Sequence, residues 1–268
     1  MSHDLDLDAY FARIGYRGPR APTLDVLHAV TAAHVQSIPF ENLDVLLGRP
    51  IELDAESLFR KLVTERRGGY CFEQNGLFLH VLGALGFEAK PLSARVRLQR
   101  PRDFTPPRTH MFLRVDVGGE TWLTDVGVGG ASLTSAIRLH SEGEQVTPHE
   151  PRRLVREGAL WFHQIRYGNE WHDLYEFTSE EMPLIDRTVS NWFTSTHPQS
   201  HFRDRIMVAR ALPEGRRLAL LNRDFTLRER DGRADTRVIA SAQEGLAILA
   251  QHFGLHFAED TRFGDHWT

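Results

Sequence analysis

Apolar positions in the first third of the chain recur at helical spacing. Ala-Pro-Thr at 21–23 leads into LDVLHAVTAAHV, where Leu24, Leu27 and Val30 share a face and Thr23 stands as N-cap. Asp54 is placed to cap a second helix whose Leu58, Phe59, Leu62 and Val63 form one stripe. That helix closes in a basic last turn followed by Gly68 and Gly69. A third helix is predicted from Tyr70–Phe72 to about Leu85, with Gly86 as its stop. From about residue 87 to 180 the period shortens. ARVRL, HMFLRVDV, TWLTDV, SAIRL, RRLVRE and LWFHQIRY are short runs separated by Gly, Pro and Asp, the pattern of an antiparallel barrel or sandwich. Residues 181–205, with Pro183, Asn191, Trp192 and Pro198, read as a connecting stretch. RLALLN, DFTLRER and TRVIA then predict strands, and Ser241 caps a final helix, AQEGLAILAQHF. The chain shows no internal repeat and no long linker, so its sections should share interfaces.

Composition narrows the class. The 268 residues carry 32 Lys and Arg against 36 Asp and Glu, a net charge of −4, with 41% hydrophobic and 25% charged residues. These are values of an ordinary globular protein, without the basic excess of a dedicated nucleic-acid binder. Cys71 is the single cysteine, so no intrachain disulfide can form, which suits a reducing compartment. The start, MSHDLDLDAYF, lacks a basic segment followed by an apolar one, and the most apolar window, Leu77 to Phe87, is too short to cross a bilayer. The expectation is a cytoplasmic protein with neither nucleic-acid nor membrane partners.

Three positions suggest chemistry. Cys71 follows Arg-Arg-Gly-Gly-Tyr and should open a helix, where unpaired N–H groups and the helix dipole favour a thiolate. The glycine pair allows a close backbone approach there. Residues 110–117 and 120–126 flank Gly118-Gly119, a two-residue hairpin signal. Pairing Val117 with Glu120 sets Phe112 opposite Asp125, which makes His110 and Asp125 diagonal neighbours on one face. A carboxylate that orients an imidazole, which in turn faces a thiol, is the arrangement of an activated nucleophile. Asp-Val-Gly-Val-Gly-Gly at 125–130 offers backbone N–H groups to a pyrophosphate or an oxyanion. Arg95, Arg97, Arg100, Arg102 and Arg108 form a basic stretch able to attract phosphate, or else a solvated strand face and loop. His-Pro-Gln-Ser-His at 197–201 reads as a loop rather than a metal site, and no metal is expected.

With these blocks in view, the chain resembles the arylamine N-acetyltransferases. Arg-Gly-Gly-Tyr-Cys-Phe-Glu-Gln-Asn (67–75) looks like their active-site signature. Further matching blocks are Ser-Ile-Pro-Phe-Glu-Asn-Leu (37–43), Thr-His-Met (109–111), Trp-Leu-Thr-Asp-Val-Gly-Val-Gly (122–129) and the stretch 191–202. The resemblance implies an α+β fold: a helical bundle carrying the nucleophile (1–86), a central antiparallel β-barrel carrying His and Asp (87–190), and a linker with an α/β lid (191–268). It implies a Cys71–His110–Asp125 triad and ping-pong transfer of acetyl from acetyl-CoA, as co-substrate, to an arylamine, arylhydrazine or arylhydroxylamine. By the same resemblance Phe40, Val96, Val128 and Phe202 would line the acceptor pocket. Thr109, Gly127, Gly129 and Gly130 would approach CoA, and Glu41 would pair with Arg67 to brace the helix of Cys71. Val128 stands where many relatives carry a bulkier aromatic. The expected assembly is a monomer or homodimer.

The same residue order serves papain-like thiol hydrolases and transglutaminases, and amide synthases acting on carrier-bound acyl chains. From another class, a ligand-binding protein could keep the fold without turnover. Acceptor choice separates the catalytic alternatives, and the intact triad residues argue against the last.

Overall fold

Residues 5–264, 266 and 267 are described by the computed structural model. Helix α1 (Leu7–Ile14) is capped by Asp6 and α2 (Leu24–Ser37) by Thr23. A two-residue strand, β1 (Phe40–Glu41), and the short α3 (Leu43–Leu46) follow. Asp54 accepts from Ser57 N–H at 2.9 Å to start α4 (Ala55–Phe59), which continues as a π-helical turn over 60–64. Helix α5 (Cys71–Ala84) ends before Gly86, whose φ of +85° needs glycine.

The chain then builds a sheet from β2 (Glu88–Val96), β3 (His110–Val117), β4 (Glu120–Thr124), β5 (Ile137–Arg138), β6 (Arg152–Glu157), β7 (Leu160–Tyr167) and β8 (Glu170–Glu181). All pairs are antiparallel, in spatial order β5-β4-β3-β2-β8-β7-β6. The two edges of this nearly closed barrel are bridged by one residue. Gln145 exchanges backbone hydrogen bonds with Arg152 of β6 while its side chain bonds the Arg138 backbone of β5 on both sides. This satisfies edge groups that would otherwise lie open.

Helix α6 (Leu184–Thr196) leads to a second sheet of β9 (Met207–Ala211), β10 (Arg217–Leu221), β11 (Asp224–Arg228) and β12 (Ala234–Val238), joined at its far edge by β1. Helix α7 (Ala242–Ile248), capped by Ser241, packs on it. Phe40 and Glu41 pair with Ala209 and Val208, so the first and last parts of the chain share one sheet. The fold is α+β, with helices, a central barrel and a C-terminal sheet-and-helix layer.

Several elements depart from the pattern-based expectation. The stretch 181–205 holds helix α6 rather than a plain connection. Its apolar residues Leu184, Ile185, Val189 and Trp192 face outward, so they carry no core-facing stripe to read. Strand β8 mixes charged and aromatic residues because its outer face meets arginines while Leu174, Tyr175 and Phe177 point inward. Helix α1 and strand β9 also escaped the pattern, the first being only two turns long. Among the described residues, no helix is long and apolar enough to cross a membrane.

Candidate active site

The site forms where α5 meets the barrel. Gly68 lets the chain pass Pro39: a Cβ there would stand 2.1 Å from the Pro39 carbonyl oxygen. Cys71 is the first residue of α5, and Glu73 closes the turn by accepting from Tyr70 N–H at 3.0 Å. Lys61 holds Glu73 at 2.5 Å and Asp44 at 2.7 Å, while Arg67 pairs with Glu41 at 2.6 Å and Asp44 at 3.1 Å. The buried start of the helix is thus tied to α3 and α4 by compensated charges.

The hairpin takes the register deduced from its two-glycine loop, from Val117 opposite Glu120 to Leu113 opposite Thr124. Beyond the last ladder pair, His110 Nε2 and Asp125 Oδ2 lie 2.7 Å apart. Asp125 is wholly buried, and its other oxygen accepts from Asn75 Nδ2 and from Gly127 N–H, each at 3.0 Å. Asn75 also donates to the Met111 carbonyl and accepts from Val126 N–H, so one amide joins α5, β3 and the loop after β4. Asn75 lies inside the Arg67–Asn75 block, with no role evident from that block alone. Its spacing of four from Cys71, one helical turn along the same face, is the signal that was available.

Cys71 is 3% exposed. Its Sγ lies 3.7 Å from the Thr109 carbonyl oxygen, and the sulfur is among the groups that favour a protonated His110 ring. With Nε2 engaged by Asp125, Nδ1 is the nitrogen left to the sulfur. Burial pulls the imidazole pKa down, but the charge and hydrogen bond of Asp125, with the Cys71 sulfur, outweigh it and hold His110 at about 10. The imidazole is therefore charged at neutral pH. Tyr175 packs on it with ring centroids 5.2 Å apart. The Tyr175 hydroxyl is kept well above the usual phenol range, by burial first and the Asp125 charge second.

The other expected site residues are spread around this centre. Gly127 sits against α5, where a Cβ would come within 2.7 Å of Cys71 Cα, so it seats the loop on the helix. Gly129, with φ of +70°, passes the Phe40 ring. Gly130 and Val128 line a cleft of about 320 Å³ between the barrel and the second sheet, with Leu98, Tyr167, Arg217 and Arg228 among its walls. Phe40 and Phe202 stack edge to face at 6.3 Å, and Phe202 also meets Tyr70. Val96 is half-buried opposite Tyr175 in the β2–β8 ladder. The basic stretch is largely paired within the protein: Arg97 with Glu176, Arg102 with Asp173 and Glu157, Arg108 with Glu180. Residues 197–201 form a loop, and among the described residues no group of His, Cys, Asp and Glu could hold a metal ion.

Known proteins share the sequence and the fold of this chain over most of its length. A family model described as N-acetyltransferase matches residues 23–262. An arylamine N-acetyltransferase of Escherichia coli (strain K12) is 43% identical over 258 residues, covering 96% of this chain and 91% of its own. An arylamine N-acetyltransferase / N-hydroxyarylamine O-acetyltransferase of Salmonella typhimurium is also 43% identical, over 93% of this chain and 88% of its own. The structure of Mycobacterium marinum arylamine N-acetyltransferase in complex with CoA superposes with a TM-score of 0.91 at 39% identity, covering 98% of this chain and 97% of that one. With a family match across most of its length, close relatives covered nearly end to end and a shared fold, this chain belongs to the arylamine N-acetyltransferase family.

Proposed function

We propose that this protein transfers an acetyl group from acetyl-CoA to arylamines and arylhydrazines, and to the oxygen of arylhydroxylamines, through an acetyl-Cys71 intermediate. The observation that carries this reading is the burial of Cys71, His110 and Asp125 together, with His110 Nε2 2.7 Å from Asp125 Oδ2 and Cys71 Sγ 3.7 Å from the carbonyl oxygen of Thr109, the residue before His110.

The charge on His110 favours the thiolate at its side. In the first half-reaction Sγ attacks the thioester carbonyl carbon, the bond to the CoA sulfur breaks, and that sulfur takes the proton from His110. In the second, the amine nitrogen attacks the acetyl carbon and the bond to Sγ breaks. The amine proton passes to His110, which restores the starting pair. An aromatic amine is neutral near pH 7 and so remains nucleophilic. Asp125 keeps the ring turned and charged throughout, and Asn75 and Gly127 N–H fix Asp125.

Phe40 and Phe202 supply an aromatic face for the acceptor, with Val96 and Val128 as smaller wall positions, and valine at 128 leaves room for bulky rings. Thr109, Gly129 and Gly130 border the path of CoA, with Gly127 supporting them from behind. The nucleophile comes from the helical part (1–86), the His and Asp from the barrel part (87–190), and the remainder covers the site. The single unpaired cysteine suits a reducing, cytoplasmic setting.

Incubation with acetyl-CoA and an aromatic amine tests the reading. Acetylated amine should form much faster than free acetate. Release of acetate alone would assign the triad to hydrolysis instead.

A further inference from the structure

We propose that Arg97 is a positioning residue for acetyl transfer: from the root of the β2–β3 loop it holds that loop so that Thr109 and His110 meet the Cys71 sulfur. The proposal rests on the reading of the site as an acetyl-transfer centre.

The loop over residues 97–109 has no regular structure, and Pro101, Pro106 and Pro107 limit its backbone hydrogen bonding. Loops this long are usually either mobile or committed to function. This one is pinned from below by a guanidinium that is 5% exposed. Arg97 Nε donates to Glu176 Oε2 at 2.5 Å, and Nη1 donates to the carbonyl oxygens of Pro101 and Phe104, each at 3.0 Å. The Arg97 backbone N–H is itself fixed on the Leu174 carbonyl at 2.8 Å. One planar fork therefore ties two points of the loop to a buried carboxylate on β8, a task that a single ammonium cannot perform.

Both ends of this clamp touch the chemistry. Glu176 follows Tyr175, and alternation along β8 sends the first outward to Arg97 and the second inward to the His110 ring. At the far end the loop delivers the Thr109 carbonyl, whose oxygen lies 3.7 Å from Sγ, and then His110 itself. Arg95 holds the Pro106 carbonyl at 2.6 Å and Ser190 the Arg108 carbonyl at 3.3 Å, so the last residues before His110 are fixed too. Leu98, next to Arg97, forms part of the cleft wall with Val128 and Gly130. The arginine-rich stretch thus acts mainly on its own loop.

Arg97→Lys keeps a charge for Glu176 but gives up the bonds to the two carbonyls. Two readings on the full-length protein test it: acetylation of Cys71 by p-nitrophenyl acetate, which carries no phosphate, and the pH profile of Cys71 alkylation by iodoacetamide. The variant should acetylate about tenfold more slowly, since small misplacements of reacting groups carry large kinetic penalties. Its alkylation profile should move to higher pH, with the melting temperature little changed. A lowered melting temperature with both readings as in the parent would make Arg97 a stabilising residue only and overturn the proposal. Should Arg97→Lys not fold, Glu176→Asp, which withdraws the carboxylate by one carbon, is held to the same outcomes. If the parent protein forms no acetyl-Cys71 at all, the acetyl-transfer reading falls. The alkylation profile still decides the role of Arg97, because alkylation uses no acetyl group.

Discussion

Two buried histidines lean on the two sides of helix α5, and the protein treats them in opposite ways. His110, in the barrel, meets the wholly buried carboxylate of Asp125 and is held charged, at about 10. His34, in the helical bundle, has no carboxylate. Its Nε2 donates to Gln74 Oε1 at 2.7 Å, an orientation fixed because Gln74 Nε2 donates to the Pro39 and Gly69 carbonyls. That leaves Nδ1 to accept from the Tyr10 hydroxyl at 2.8 Å. Burial dominates there and, with the charge of Arg13, draws His34 down to about 4 against the opposing effect of its hydrogen bond to Gln74. Burial is nearly equal at the two sites, so it is the partner that sets the protonation state. A neutral ring with two neutral partners is suited to bracing; a charged ring beside a sulfur has a proton to give.

Replacing the partner should abolish the difference. Asp125→Asn removes the charge that keeps His110 protonated while leaving a side chain able to fill the same space. Turnover should fall on the order of 10⁴-fold, as it does where an orienting aspartate of a triad is neutralised, with the fold kept and the melting temperature lowered at neutral pH by loss of the buried pair. Steady-state kinetics with acetyl-CoA and an aromatic amine, beside a thermal melt, would read both. Activity within tenfold of the parent would mean the His110 charge is not what drives the reaction.

A second break lies under both histidines, at the base of α5. Arg67→Met leaves Glu41, which is 1% exposed, charged and without its guanidinium. Loss of about 3–5 kcal/mol in a denaturant titration is expected, the usual penalty for stranding one member of a buried ion pair. A change below 1 kcal/mol would show that the pair does not brace the helix.

The pH dependence of stability should carry opposite signs from the two rings. His110 is raised in the folded state, so its contribution is complete below about 6.5 and is lost as pH climbs toward 10. His34 is lowered, so its contribution is complete above about 6.5 and is lost as pH falls toward 4. Melting temperature followed from pH 4 to 10 should show both slopes, and Asp125→Asn should flatten the alkaline one alone. The smallest effect is expected from Tyr10→Phe, which strips one hydrogen bond from His34. About 1 kcal/mol of stability should go, with the pH profile of turnover unmoved. A shifted profile would mean that the bundle histidine is coupled to the chemistry.

Much of this contrast was legible in the sequence on the barrel side and little of it on the bundle side. A two-glycine hairpin fixes register, and register alone brings His110 to Asp125. A cysteine after Gly-Gly-Tyr marks a helix start. Both are local signals. His34 lies on a helix that the spacing predicts well, yet nothing nearby announces Tyr10 or Gln74, which reach it from other helices. The partners of Asn75 and the Arg97–Glu176 clamp are hidden for the same reason, since they join residues 36 to 79 positions apart. The arginine run invited a phosphate-binding reading because sequence shows the charges but not the carboxylates that fold against them.

Intact-mass analysis of the protein after exposure to acetyl-CoA bears most directly on the relay at Cys71. One acetyl group should appear, map to the peptide containing Cys71, and disappear when an aromatic amine is added, with the acetylated amine recovered. An unmodified protein that still acetylates the amine, or an acetyl group carried on any other residue, would contradict the account.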